Sequence, residues 1–244
     1  MLELKSAQVL LSDGLALTPK LSVDLCPGTV VGLIGPNGCG KSLLTRAVLG
    51  VLLPRHQFTV TGRVTVEPGL DIGYVPQQTG LLAWRRVESN ILLPARFHRQ
   101  NGTLDLGRLY AAFNLAPRKD DLPHQLSGGY QVRTAICRAL ATKPGLLVLD
   151  EPTRELDEMA RSALITELRA ARERGAGVWV VSHEIPFVVA VADFCVILSS
   201  PQAVPKVISK GEQRWTDEGL STIVIGTLME ERVTDTPAAG SHVE

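Results

Sequence analysis

The amino-acid sequence predicts an α/β protein: a mostly parallel sheet with helices on its faces and a helical lobe inserted into it. Three observations carry that expectation. A glycine-rich turn, Gly35-Pro36-Asn37-Gly38-Cys39-Gly40-Lys41-Ser42, joins an apolar run to a helical pattern. Runs of consecutive apolar residues at Val30 to Ile34, Leu146 to Leu149 and Gly177 to Val181 suit buried parallel strands, the last two ending in Asp150-Glu151 and Ser182-His183. Strand-like runs alternate with helix-like runs, except between Arg86 and about Lys143, where the pattern stays helical.

The elements follow in order. Residues 2–11 and 21–26 read as two strands around a turn at Ser12-Asp13-Gly14. Val30 to Ile34 is a buried strand, and Leu43, Leu44, Ala47, Val48 and Leu49 give helical spacing that stops near Gly50. Phe58 to Val66 and Asp71 to Val75 are further strands. The helical stretch 86–143 is broken at Asn101-Gly102 and at Pro117. Leu146 to Leu149 is a buried strand ending in Asp150-Glu151. Over 157–174, Leu164, Leu168 and Ala171 form one apolar face opposite arginines and glutamates. Gly177 to Val181 is a strand ending at Ser182-His183, Pro186 to Ala192 a short helix, and Phe194 to Leu198 a strand. Residues 233–244 lack apolar periodicity and read as a mobile tail.

Composition narrows the class. The chain has 244 residues, 45% hydrophobic and 20% charged, in the range of an ordinary globular protein with one large domain. Its 25 basic and 25 acidic residues balance, which argues against charge-driven nucleic-acid binding. No apolar run is long enough to span a bilayer, and the start lacks the pattern of a secretion signal. The four cysteines, Cys26, Cys39, Cys137 and Cys195, are widely spaced, so reduced thiols are expected rather than disulfides or a zinc site.

The glycine-rich turn fits the phosphate-loop pattern from Gly35 to Ser42. Glycines let successive N–H groups converge on phosphate oxygens, and the helix start adds unpaired donors and partial positive charge. Lys41 can reach the β- and γ-phosphates, and the Ser42 hydroxyl can ligate Mg²⁺. Asp150 and Glu151 end a strand at the same sheet edge, where open α/β sheets place their ligands. Asp150 would hold Mg²⁺ through its water shell, and Glu151 would polarise the attacking water. His183 ends the next apolar strand and would offer a hydrogen bond to the γ-phosphate. Leu126-Ser127-Gly128-Gly129-Tyr130 opens a helix, with Ser127 as its N-cap, and makes a second anion site. Two phosphate sites far apart in one sequence suggest head-to-tail pairing of two chains. Cys39 lies near Lys41 and a helix N-terminus, both of which lower a thiol pKa, so two readings stand: a reactive thiol that a bound nucleotide would protect, or a small residue that fills the loop.

The order of motifs then resembles the ATP-binding subunit of ABC transporters. The motifs are Gly35 to Ser42, Tyr74-Val75-Pro76-Gln77, Leu126-Ser127-Gly128-Gly129, Leu149-Asp150-Glu151-Pro152-Thr153, Leu156-Asp157 and Ser182-His183. The resemblance runs from about residue 3 to residue 210. Thr79 to Ile91 and Ala192 to Pro201 are similar to the nitrate/sulfonate/taurine importer type.

The resemblance implies a P-loop NTPase core of mostly parallel sheet with an antiparallel β subdomain and an inserted helical subdomain. The ATPase domain would span 1–232, with the core at about 1–85 and 144–210, the helical subdomain at about 86–143, and a flexible tail at 233–244. It implies ATP and Mg²⁺ as cofactors. Gly35, Pro36, Asn37, Gly38, Cys39, Gly40, Lys41, Ser42 and Leu43 would hold the nucleotide, and Ser42, Asp150 and Gln77 the metal. Glu151 would be the general base, His183 the γ-phosphate switch and Gln77 the sensor that reports to the membrane partner. Ser127, Gly128 and Gly129 would close on ATP bound to the opposite subunit, with Asp157 at the dimer seam. The implied partners are a second ATP-binding subunit, an integral membrane permease met by residues 81–87, and a substrate-binding protein. The implied location is the cytoplasmic face of the cell membrane.

Several positions depart from the family pattern. Residues 2–25 contain no Phe, Tyr, Trp or His to stack on adenine, so an aliphatic such as Val9 or Leu11 would substitute, with loose base selectivity. Tyr130 and Val132 stand where glutamines are common. Arg154-Glu155 replaces small residues before Leu156-Asp157 and adds charge near the dimer seam. Alternatives left open are a soluble ABC-type ATPase of a non-transport machine, a phosphate-loop small-molecule kinase, and a lipid or drug exporter subunit.

Overall fold

The computed structural model describes residues 1–51, 57–97, 106–212 and 215–234. Strand β1 (Leu2–Leu11) pairs antiparallel with β2 (Leu21–Leu25) on one side and β4 (Phe58–Val66) on the other. The main sheet holds β3 (Val30–Ile34), β5 (Ile72–Val75), β6 (Leu146–Asp150), β7 (Gly177–Val181), β8 (Phe194–Ile197) and β9 (Lys206–Ser209). Their spatial order is β5-β6-β7-β3-β8-β9, parallel throughout except for β9. β3, β6 and β7 are buried at every residue, which is why their sequences read as unbroken apolar runs.

Helices α1 (Lys41–Val48), α5 (Glu158–Glu173) and α6 (Ile185–Val191) cover the sheet, and α7 (Asp217–Thr234) packs against α6. One core lies between α1, the antiparallel strands and one sheet face, built around Leu4, Leu33, Leu44, Val148 and Trp179. The other lies under α5 and α6 and runs into the helical lobe. Trp179 is fully buried, and its indole N–H donates to Thr45 Oγ1 at 3.1 Å, which ties α1 to β7.

The helical lobe is less continuous than its sequence pattern. It holds α2 (Val87–Ile91), α3 (Leu106–Ala112) and α4 (Gly128–Leu140), joined partly by short 3-10 turns at Pro94–Arg96, Ala116–Arg118 and Pro123–Gln125. Each turn carries a proline early, where its fixed φ is compatible and its missing N–H does no harm. The expected break at Asn101-Gly102 lies outside the described residues.

Two elements escaped the sequence reading. β9 is four residues long and buries only Ile208, so no apolar alternation marks it. α7 buries Leu220 and half-buries Ile223 and Val224 but exposes Ile225, so its apolar residues form no single stripe. α7 reaches Thr234, two residues into the stretch expected to be tail, and 235–244 lie outside the described residues. Among the described residues no helix is long and apolar enough to cross a membrane.

Candidate functional site

The turn from Gly35 to Gly40 connects β3 to α1. Gly40 caps α1 with φ 96°, and a Cβ there would lie 2.5 Å from the Leu17 carbonyl oxygen and 2.8 Å from Thr18 Cγ2. Only glycine meets both conditions. Residues 17 and 18 therefore back the loop, while Asn37 and Gly38 face outward. The Lys41 ammonium is buried inside the loop and donates to the carbonyls of Gly35 at 2.8 Å and Pro36 at 2.7 Å. Leu43 packs beside Val9 and Phe58.

The expectation of a reactive Cys39 fails at this loop. Cys39 is buried, and that burial raises its thiol pKa more than the neighbouring Lys41 lowers it. The thiol is a packing group rather than a reactive nucleophile. Of the two aliphatics expected to meet a base, Val9 is fully buried against Ala47 and presents no surface, whereas Leu11 is partly exposed. The exposed aliphatic on the adjoining turn is Leu15.

Ser42 on α1 and Asp150 at the end of β6 meet across the sheet edge, Oγ to Oδ1 at 3.2 Å. Asp150 is 1% exposed, and burial pushes its carboxyl above the usual range against the opposing pull of the Ser42 hydrogen bond. A hydroxyl and one carboxylate make an all-oxygen donor pair. Among the described residues no group of three or more His, Cys, Asp or Glu could cage a metal. That donor set fits Mg²⁺, which takes one or two carboxylates and completes its shell with water and phosphate oxygens. Because its folded pKa is raised, Asp150 favours stability below its unfolded pKa and detracts from it once ionised at neutral pH. Asp150→Asn removes that buried charge and is expected to raise Tm, while Mg²⁺-dependent ATP turnover collapses.

Glu151 follows Asp150 with φ 53°, and its N–H donates to Val181 O at 2.9 Å. The turn aims its carboxylate at His183, with Nδ1 2.7 Å from Oε2. The carboxylate is 9% exposed and the imidazole 61%. Gln77, just past β5, shares with Glu151, Gly128, Gln131 and Glu155 the lining of a cleft of about 370 Å³. Ser127 is the N-cap of α4, exposed and without a side-chain capping bond. Asp157 is engaged within its own chain: Oδ1 accepts from Ala160 N–H at 2.9 Å, and Oδ2 pairs with the buried Arg133. The Ala160 N–H first, and Arg133 after it, hold that carboxyl below the usual range. It therefore caps α5 and pairs with Arg133 while its side chain stays 58% exposed.

Residues 19–154 match the ABC transporter family. The chain belongs to the ABC transporter ATP-binding family. It is 37% identical over 207 residues to the zinc import ATP-binding protein ZnuC of Yersinia enterocolitica, covering 78% of this chain and 74% of that one. It is 36% identical over 196 residues to the nitrate import ATP-binding protein NrtC of Synechococcus elongatus. That match covers 75% of this chain and 29% of the nitrate protein, so the chain spans under a third of that relative. A solved ATP-binding subunit of an ABC transporter superposes with TM-score 0.77 at 22% identity, covering 96% of this chain and 98% of that one. The ATP-binding cassette MJ0796, a dimer in a post-hydrolysis state bound to ADP and Pi, gives TM-score 0.71 at 23% identity, covering 86% of this chain and 98% of that one. Those two likenesses are of fold: the same mixed architecture of parallel core sheet and antiparallel strands.

This ABC ATPase, which uses ATP and Mg²⁺, also carries side-chain contacts around the site that its sequence did not reveal. The Asn90 side chain is buried and bonds to Leu82 N–H and to the carbonyls of Leu82, Arg85 and Arg86. Arg138 on α4 donates to the carbonyls of Thr79 and Gly80. Together they fix the segment after Gln77 as a built surface with Trp84 75% exposed. Tyr130 lays its ring 4.8 Å from the Arg133 guanidinium and 5.6 Å from that of Arg118. The signals were an asparagine six residues after Trp84 and two arginines, Arg133 and Arg138, on α4. None specifies a partner until the chain is folded.

Proposed function

We propose that this chain is the energy-coupling ATPase of an import system, working as a pair that clamps two ATP molecules between its copies or between one copy and a close relative. The observation that supports this most directly is the Glu151–His183 contact at 2.7 Å on the same sheet edge as Ser42 and Asp150. Lys41 and the loop N–H groups would bind the phosphates, with phosphate oxygens taking over the ammonium from the Gly35 and Pro36 carbonyls. Mg²⁺ would be held by Ser42, Asp150 and Gln77 and would neutralise charge on the phosphates. Glu151 takes a proton from water as the water oxygen bonds to the γ-phosphorus; the bond to the bridging oxygen breaks and ADP leaves with that electron pair. His183 orients Glu151 and offers a hydrogen bond to the γ-phosphate. Ser127 and Gly129 would contact the phosphates of ATP on the opposite subunit.

The surface around Trp84 would receive the permease, which would place the chain at the cytoplasmic face of the membrane with no part in nucleic-acid binding. A substrate-binding protein would deliver the cargo, a small anion or organic solute in this reading. Identities of 36% to a nitrate system and 37% to a zinc system do not choose between cargoes. Affinity purification from detergent-solubilised membranes should bring down an integral membrane subunit, and Trp84→Ala should weaken that recovery. Recovery of the chain without any membrane companion would overturn the importer reading and favour a non-transport ATPase.

A further inference from the structure

Glu155 stands in the turn between β6 and α5 with φ 64°, a backbone region uncommon for a glutamate. Its side chain, half exposed, lies against the first residues of α4. A Cβ built on Gly128 would overlap Glu155 Oε2 and come within 2.7 Å of its Cδ, and one on Gly129 would lie 2.6 Å from the Glu155 carbonyl oxygen. Glycine is therefore required at 129, where the contact is with backbone, whereas at 128 it is the movable Glu155 carboxylate that fills the space a side chain would take. α4 runs for 13 residues, and Ser127 gives it no side-chain cap. The anionic group packed at its positive end is the Glu155 carboxylate. Amide dipoles at a helix start favour a negative charge, whether carboxylate or phosphate, and two anions cannot share the place without repulsion. Arg154 Nε lies 3.9 Å from Glu155 Oε1 in this packed pose, so a cation already stands beside the carboxylate.

We propose that the Glu155 carboxylate is an internal occupant of the 127–129 turn that the phosphates of a partner's ATP must displace, so that Glu155 sets how readily two ATP-loaded chains close. The proposal rests on the reading that this turn receives ATP from the opposite subunit. Each contact weakens closure by about threefold, the scale of a charge at a helix end, and two contacts in a symmetric pair give about tenfold. The device is electrostatic, so salt reduces it.

The test compares full-length Glu151→Gln with Glu151→Gln/Glu155→Gln in saturating Mg²⁺-ATP, by sedimentation across protein concentration and ionic strength. The added Glu155→Gln change is expected to tighten the dimer about tenfold at low salt, with the gap closing as salt rises, and Glu155→Asp is expected to retain the weaker dimer. Equal dimer dissociation constants across the salt series, whether or not Tm falls, would make Glu155 a structural helix cap and overturn the proposal while the clamp stands. Absence of an ATP-dependent dimer in both chains overturns the clamp and this proposal together.

Discussion

Glu151→Gln is expected to lower ATP turnover by about 10²–10⁴-fold, the scale of a lost general base, while nucleotide affinity stays within a few-fold. The reason is geometric. Glutamine keeps the shape and can still take a hydrogen bond from His183, which now sits 2.7 Å from Glu151 Oε2. What it loses is the capacity to take a proton from water. The phosphate loop and the Ser42–Asp150 pair stay in place, so binding persists and the ATP-loaded dimer accumulates. Steady-state phosphate release together with equilibrium nucleotide binding separates the two effects. Turnover near that of the unmodified chain would remove Glu151 from the role of base. His183→Ala should cost less than Glu151→Gln if its main task is to orient the carboxylate, because the proton acceptor survives.

Trp179→Ala is expected to give the largest stability loss of any single core change, about 3–5 kcal/mol, and a Tm lower by roughly 6–20 °C. Trp179 is fully buried on β7, and removing the indole leaves a cavity that a sheet interior cannot close. It also releases Thr45, whose hydroxyl accepts the indole N–H at 3.1 Å and itself donates to Lys41 O at 3.0 Å. The lost contact therefore reaches the phosphate-loop helix, so ATP affinity should fall along with stability. Thr45→Val keeps the volume but leaves the buried N–H unpaired, at a cost of about 1–3 kcal/mol. Thermal melts with and without Mg²⁺-ATP measure both. A Tm shift below about 1 °C for Trp179→Ala would show that α1 is held by its other contacts.

The chemistry was legible because it is local. A phosphate loop needs its glycines, lysine and serine within eight positions, and Asp150-Glu151 and His183 each follow an apolar strand directly. Those strands were readable because they are buried on both faces. β9 and α7 were not readable, because one is nearly all exposed and the other spreads its apolar residues around the helix. Cys39 misled for a related reason. A sequence shows which charge stands two residues away but not how much of the thiol is withdrawn from water, and here burial outweighs Lys41.

The sequence by itself determined the strand–loop–helix grammar, the residue types of the phosphate and acid sites, and the family they resemble. Only the tertiary structure decided which of those groups touch. β6 lies beside β7 with Asp150 opposite Val181, so Glu151 and His183 emerge side by side. The turn after β6 folds back on α4, so Glu155 meets Gly128. Strand order and the packing of one loop on another helix are set by contacts between residues far apart in the chain. Periodicity and motif spacing report only neighbours.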